Sequence, residues 1–121
     1  MKPIIKVKNY TNDADFIPKA SSYLELKAYT PNEVTNIKSK CQVAVRTGIN
    51  FEIPVGYKLL ILDVNLNRWM TTLSITEDII IWVLNDTKGD VTIRHKDIIG
   101  YVIITLNHIE VQTTNLIKKH D

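Results

Sequence analysis

Apolar residues recur at every second position along much of the chain, and each alternating run stops at a turn-forming cluster, the pattern of half-buried strands. Ile5-Lys6-Val7-Lys8 alternates first, and Tyr23 to Ala28 follows with Leu24, Leu26 and Ala28 on one face. Thr30-Pro31-Asn32-Glu33 has turn chemistry, because Pro presets φ and Asn tolerates tight geometry, and Val34 to Ile37 leads into a third strand. Lys40 to Arg46 places Cys41, Val43 and Val45 on one side and ends at Thr47-Gly48, where glycine permits a positive φ. Asn50 to Ile53 and Tyr57 to Asp63 flank Pro54-Val55-Gly56, which predicts a hairpin. Ile79 to Leu84 is apolar throughout, which predicts a central strand buried on both faces with Trp82 in the core. Asn85 to Asp90 is rich in turn formers, so Val91 to Ile93 is expected to pair back, and Ile98 to Leu106 and Ile109 to Val111 complete the set. About ten short strands with little helix predict an all-β barrel or sandwich. The expected organisation is a single β-barrel domain over residues 1–114 and a C-terminal tail over 115–121.

Composition narrows the reading. A chain of 121 residues allows one domain, and 45% hydrophobic residues is too apolar for disorder. Cys41 is the lone cysteine, which excludes an intramolecular disulfide framework and fits a reducing compartment. Fifteen basic and 13 acidic residues leave a net charge of only +2, without the clustered basic face of a nucleic-acid binder, which disfavours nucleic acid as a partner. The run from Ile79 to Leu84 falls far short of the roughly 20 residues a membrane-crossing helix needs. Charges on both sides of Ile4-Ile5 leave no apolar leader, so the expected location is cytoplasmic, with no membrane.

Candidate chemistry is sparse. His95, His108 and His120 lack metal-ligand spacing, and the local signatures of acyl transfer, zinc hydrolysis and phosphate cradling are missing, so no catalytic residue and no metal ligand is assigned. Asp13 with Asp15, Glu77 with Asp78, and Asp86 with Asp90 could bind magnesium through water. Their ordinary readings are a polar loop, the solvated start of an apolar strand, and the ends of a turn. Trp69 beside Arg68 is a candidate anchor for a partner protein, since Trp and Arg are enriched at interface hot spots.

The order of segments is similar to a known family. Lys40-Cys41-Gln42-Val43-Ala44-Val45-Arg46-Thr47-Gly48-Ile49-Asn50-Phe51-Glu52-Ile53-Pro54-Val55-Gly56-Tyr57 resembles the V-x-T-G…P-x-G-Y stretch of trimeric deoxyuridine triphosphatases. Leu84-Asn85-Asp86-Thr87, Val91-Thr92-Ile93 and Asp97-Ile98-Ile99-Gly100 resemble the family's later L-x-N-x-(S/T)…V-x-I-x-x-G-D-R-I-A-Q stretch. The resemblance spans Tyr23 to Val111 and implies a dUTPase-like fold of the β-clip type and a homotrimer.

It also locates the family's catalytic motifs, which this sequence departs from. The first reads Tyr23-Leu24-Glu25-Leu26, leaving Glu25 where the family has Asp. The phosphate-gripping Arg-Ser-Gly falls on Val64-Asn65-Leu66, and the water-activating Asp and sugar-stacking Tyr fall near Thr72 and Ile75. The Gly-Asp-Arg-Ile-Ala-Gln motif reads Lys96-Asp97-Ile98-Ile99-Gly100-Tyr101. Triphosphate hydrolysis needs positioned cations or magnesium and a group that orients water. The expectation is therefore a non-catalytic protein-binding module, a phage or viral inhibitor of a host factor or a capsid accessory, with no cofactor. The alternative is a protein that binds, sequesters or hydrolyses a nucleotide in a vestigial intersubunit pocket lined by Glu25, Asn65, Lys96 and Tyr101, with Mg2+ needed only in that case.

Overall fold

Every strand pairing among the described residues joins strands that are not consecutive in the chain. The structure is a computed structural model that describes residues 4–19, 23–64 and 77–106. Within them lie nine strands: β1 (Lys6–Asn9), β2 (Leu24–Lys27), β3 (Thr35–Ile37), β4 (Gln42–Arg46), β5 (Ile49–Glu52), β6 (Tyr57–Leu62), β7 (Ile80–Leu84), β8 (Val91–Ile93) and β9 (Ile98–Leu106). A 3₁₀ turn at Ala14–Phe16 is the single helical element among the described residues. The strands form four antiparallel sheets: β1 with β5, β2-β9-β6, β3 with β8, and β4 with β7.

The all-β expectation agrees with this architecture, although among the described residues the hydrogen-bonded ladders do not close into one barrel. Two pairings differ from those the sequence suggests. The turn at Pro54 to Tyr57 does reverse the chain, with the Tyr57 N–H donating to Pro54 O (3.1 Å), but β5 and β6 do not form a hairpin. Instead β6 lies against β9, where Ile61 faces Val102 and Leu59 faces Ile104, so two inward apolar rows coincide. Likewise β8 pairs with β3 rather than folding back on β7. The Ile109 to Val111 segment and the 115–121 tail lie outside the described residues.

One core joins the four sheets. Leu26, Ile37, Ile49, Ile79, Ile81 and Val102 are fully buried in it, and Phe16 is pinned there by the 3₁₀ turn. β7 does not bury both faces. It belongs to a two-stranded ribbon with only one side on the core, and Ile79 and Ile81 occupy that side. Trp82, one residue out of phase, points outward and is 46% exposed, which corrects its expected place in the core.

The Thr47-Gly48 corner between β4 and β5 is tightly constrained. Gly48 has φ +73°, and a Cβ there would run into Thr11 Cγ2. Thr47 is fully buried and its hydroxyl donates to Ile79 O (2.7 Å), tying the corner to the start of β7.

Candidate functional site

The turn between β8 and β9 presents Lys96. Asp97 shapes this turn by accepting from the Arg94 N–H (2.8 Å), and the Lys96 N–H donates to Ala28 O (2.8 Å), which fixes the turn against the end of β2. Lys96 itself sits at φ +74°, a left-handed conformation that the surrounding hydrogen bonds hold.

From there the Lys96 ammonium reaches the 3₁₀ turn, where it donates to Asp13 Oδ2 (2.7 Å) and Asp15 Oδ2 (3.0 Å). Asp13 is also the cap of that turn, accepting from the Asp15 N–H (2.9 Å), and the Lys27 ammonium donates to Asp15 O (3.0 Å). The hydrogen bond from Lys96, followed by that from the Asp15 backbone, holds the Asp13 carboxyl below the usual carboxylate range. Hydrogen bonding to Asp13, then to Asp15, raises Lys96 above its ordinary value.

Beside this clasp opens a cavity of about 370 Å³, lined among others by Asp15, Ile17, Lys19, Glu25 and Lys27. Glu25 is exposed on β2 and stands directly opposite Tyr101 on β9, whose ring meets Tyr23 edge-on at 6.0 Å between centroids. Of the three described residues expected in the nucleotide pocket, Glu25 alone lines this cavity. Tyr101 is its cross-strand neighbour, Lys96 is linked to it through Asp15, and Asn65 lies outside the described residues. Arg68, Trp69, Thr72 and Ile75 lie outside them as well.

A second group of polar residues surrounds Asp78. The sequence suggests a solvated carboxylate ahead of β7, but Asp78 is only 7% exposed. Its Oδ2 accepts from the Gly48 N–H (2.9 Å) and from Arg46 Nε (3.1 Å). The Arg46 guanidinium also lies over the Tyr29 ring, 5.2 Å from its centroid. The sequence carries a partial signal for this arrangement in the Thr47-Gly48 corner, whose free amide needs an acceptor. It carries none for the choice of Asp78.

The remaining candidates are held by the fold. His95 is wedged against Phe16 and Tyr29, and its Nδ1 accepts from the Thr30 N–H (3.0 Å). Asp86 pairs with Lys40 at 2.9 Å on the surface. Among the described residues no three His, Cys, Asp or Glu side chains are grouped to hold a metal ion, and no helix is long and apolar enough to cross a membrane.

Four small antiparallel sheets around one core, with non-sequential pairing throughout the described residues, define an all-β fold. Comparison with solved structures gives that class its particulars. A Streptococcus mutans dUTPase superposes with a TM-score of 0.67 at 15% identity, covering 89% of this chain and 98% of that one. A variant dUTPase of phage phi11 of S. aureus gives 0.70 at 10% identity, covering 93% and 96%. A Staphylococcus bacteriophage 80alpha dUTPase variant with dUpNHpp gives 0.69 at 11% identity, covering 93% and 97%, and is described as one of the phage dUTPases that control transfer of virulence genes. No protein-family model and no curated protein matches the sequence. At these identities the likeness is one of fold.

Proposed function

We propose that this chain is a dUTPase-like scaffold that acts by binding another protein, as a phage or viral inhibitor of a host factor or a capsid accessory, and not by hydrolysing a nucleotide. The observation that carries the reading is the state of Lys96. It stands at the start of the segment resembling Gly-Asp-Arg-Ile-Ala-Gln, and its charge is already met by Asp13 at 2.7 Å and Asp15 at 3.0 Å. An ammonium held by two carboxylates is not a free cation with which to grip a triphosphate. The departures at Glu25, Asn65, Thr72 and Ile75 support the same reading. The description of staphylococcal phage dUTPases as controlling gene transfer is a precedent on this fold for work beyond nucleotide hydrolysis.

The resemblance further implies a homotrimer working in the cytoplasm of a host cell, and light scattering tests the assembly. A mass near three times 13.9 kDa is expected, and a monomer removes the shared pocket. The solved neighbours are dUTPases, which are enzymes, so the deciding experiment is pyrophosphate release from dUTP with Mg2+. Background hydrolysis is expected; turnover at an ordinary enzymatic rate of about 1 per second or more overturns the proposal.

One observation favours a nucleotide-binding or sequestering alternative. Glu25 lies beside an open cavity of about 370 Å³ that Lys19 and Lys27 also line, with Tyr101 directly across the ladder. That alternative requires a saturable thermal shift with a nucleoside triphosphate, and none across a panel with and without Mg2+ eliminates it.

A further inference from the structure

The turn between β8 and β9 carries His95 one residue ahead of Lys96, and neither functional reading above uses it. Its Nδ1 accepts from the Thr30 N–H (3.0 Å), so the ring proton lies on Nε2 and the bond exists only while the imidazole is neutral. The ring packs on Phe16, with 5.3 Å between centroids, and on Tyr29, at 5.6 Å. Phe16 and Tyr29 also meet edge-on at 5.4 Å, so rings from three separate segments close on one another. The backbone that presents His95 is pinned to the end of β2. The Ala28 N–H donates to Asp97 O (2.8 Å) and the Lys96 N–H to Ala28 O (2.8 Å), which leaves the His95 side chain and the segments against it to respond to a proton.

A proton on Nδ1 turns the acceptor into a donor that confronts the Thr30 N–H. Thr30 has little means of absorbing that loss. It is 8% exposed, and its Oγ1 is already a buried atom without a hydrogen-bond partner among the described residues. Two unsatisfied polar groups on one buried residue are costly, and opening the Thr30 loop to water removes the cost. The surrounding charges do not offset it. The Tyr29 ring already receives the Arg46 guanidinium at 5.2 Å, Arg94 and Lys96 flank His95 in its own turn, and Lys27 ends β2, so a further cation arrives among existing ones. The carboxylates nearby are engaged or exposed: Asp13 and Asp15 on the 3₁₀ turn hold Lys96, Asp97 accepts from the Arg94 N–H, and Glu33 on the Thr30 loop lies in solvent.

We propose that His95 is an acid-sensitive latch: while neutral it holds the Thr30 loop and the Ala14–Phe16 turn against the β8–β9 turn, and on taking a proton at Nδ1 it releases both. Phe16 lines the cavity beside Glu25 together with Asp15, Ile17 and Lys19, so release loosens that wall. Phe16 is 2% exposed and comes into water only in the released state. Histidine ordinarily titrates between about pH 5 and 8. Across that interval Asp13, held below the usual carboxylate range by Lys96, keeps its charge, so the Lys96 clasp and the latch respond to different ranges of pH. The latch does not depend on whether the protein binds another protein or a nucleotide.

The test follows the full chain, 15N-labelled, by NMR from about pH 8 to about pH 4.5. Long-range 1H–15N correlations read the tautomer and protonation of His95. Hydrogen exchange, corrected for its intrinsic pH dependence, reads the Thr30 amide, and ring-to-ring nuclear Overhauser effects between Phe16 and Tyr29 read the turn. A neutral ring protonated on Nε2 is expected at high pH. Its protonation should share one midpoint with a loss of about tenfold or more in Thr30 protection and with the fading of the Phe16–Tyr29 contacts. His95→Asn places Oδ1 where Nδ1 stands and does not titrate, so Thr30 protection should then stay within about twofold over the same interval. That variant also separates His95 from His108 and His120. Protonation of the ring with Thr30 protection and ring contacts intact overturns the proposal. So does a ring that stays neutral throughout, or an undiminished response in His95→Asn. If His95→Asn fails to fold, the wild-type titration decides between these outcomes by itself.

Discussion

Replacing Gly48 with alanine tests the corner that joins β4 to β5 and holds Asp78 against Arg46. The residue sits at φ +73°, where a Cβ costs about 1–2 kcal/mol through its approach to the carbonyl oxygen. The added methyl also collides with Thr11 Cγ2, and Thr11 cannot swing away easily. It is 9% exposed, and its hydroxyl donates to Asn9 Oδ1 (2.7 Å) while accepting from the Asp13 N–H (3.0 Å). Overpacking of this kind adds about 1–3 kcal/mol. The sum, about 2–5 kcal/mol, is a large share of the roughly 5–15 kcal/mol that holds a domain of this size.

Urea unfolding followed by far-ultraviolet circular dichroism reads the loss as a lower midpoint at unchanged slope. Two companions separate the causes. Thr11→Ser removes only Cγ2 and keeps the hydroxyl network, so Gly48→Ala in that background should recover about 1 kcal/mol or more, leaving the dihedral penalty. Gly89→Ala, where a Cβ meets nothing within 4 Å, should stay within about 0.5 kcal/mol of wild type. A Gly48→Ala loss below about 0.5 kcal/mol, or no coupling to Thr11→Ser, refutes the reasoning.

Three further outcomes follow from particular contacts. Ile81→Ala should cost about 2–5 kcal/mol in urea melts, because its side chain is fully buried where the ribbon meets the core. Thr47→Val should cost about 1–2 kcal/mol by the same assay, since the buried hydroxyl donor to Ile79 O is lost. Lys96→Met should flatten the pH dependence of stability at both ends. Asp13, lowered by Lys96, contributes stability above its unfolded value near 3.9 that is lost as the pH falls through its lower folded value. Lys96, raised by Asp13 and Asp15, contributes stability below about 10.4 that is lost as the pH rises through its higher folded value. Thermal melts of wild type and variant should therefore converge at both extremes of pH, and a constant gap would remove the clasp.

The fold and the candidate site were legible to different depths. Alternation places Leu26, Ala28 and Val45 on the core side from local spacing alone, and all three are buried. The order of turns and strands carries the dUTPase-like resemblance, and solved structures share the fold. Strand partners are another matter. β5 and β6 flank a proper turn yet join different sheets, because the inward row of β6 matches that of β9.

The site follows the same division. Glu25 and Tyr101 are identifiable in the sequence through the resemblance, but their direct opposition depends on the β2–β9 register. The pairing of Lys96 with Asp15 spans 81 residues, and that of Arg46 with Asp78 spans 32. Side-chain period, turn chemistry and charge are properties of a few adjacent residues, so the sequence by itself determines which segments become strands and where the chain bends. Which strand edges meet, whether Trp82 faces core or solvent, and which carboxylate each cation finds depend on minimising exposed apolar area over the whole chain at once, and only the tertiary structure decided them.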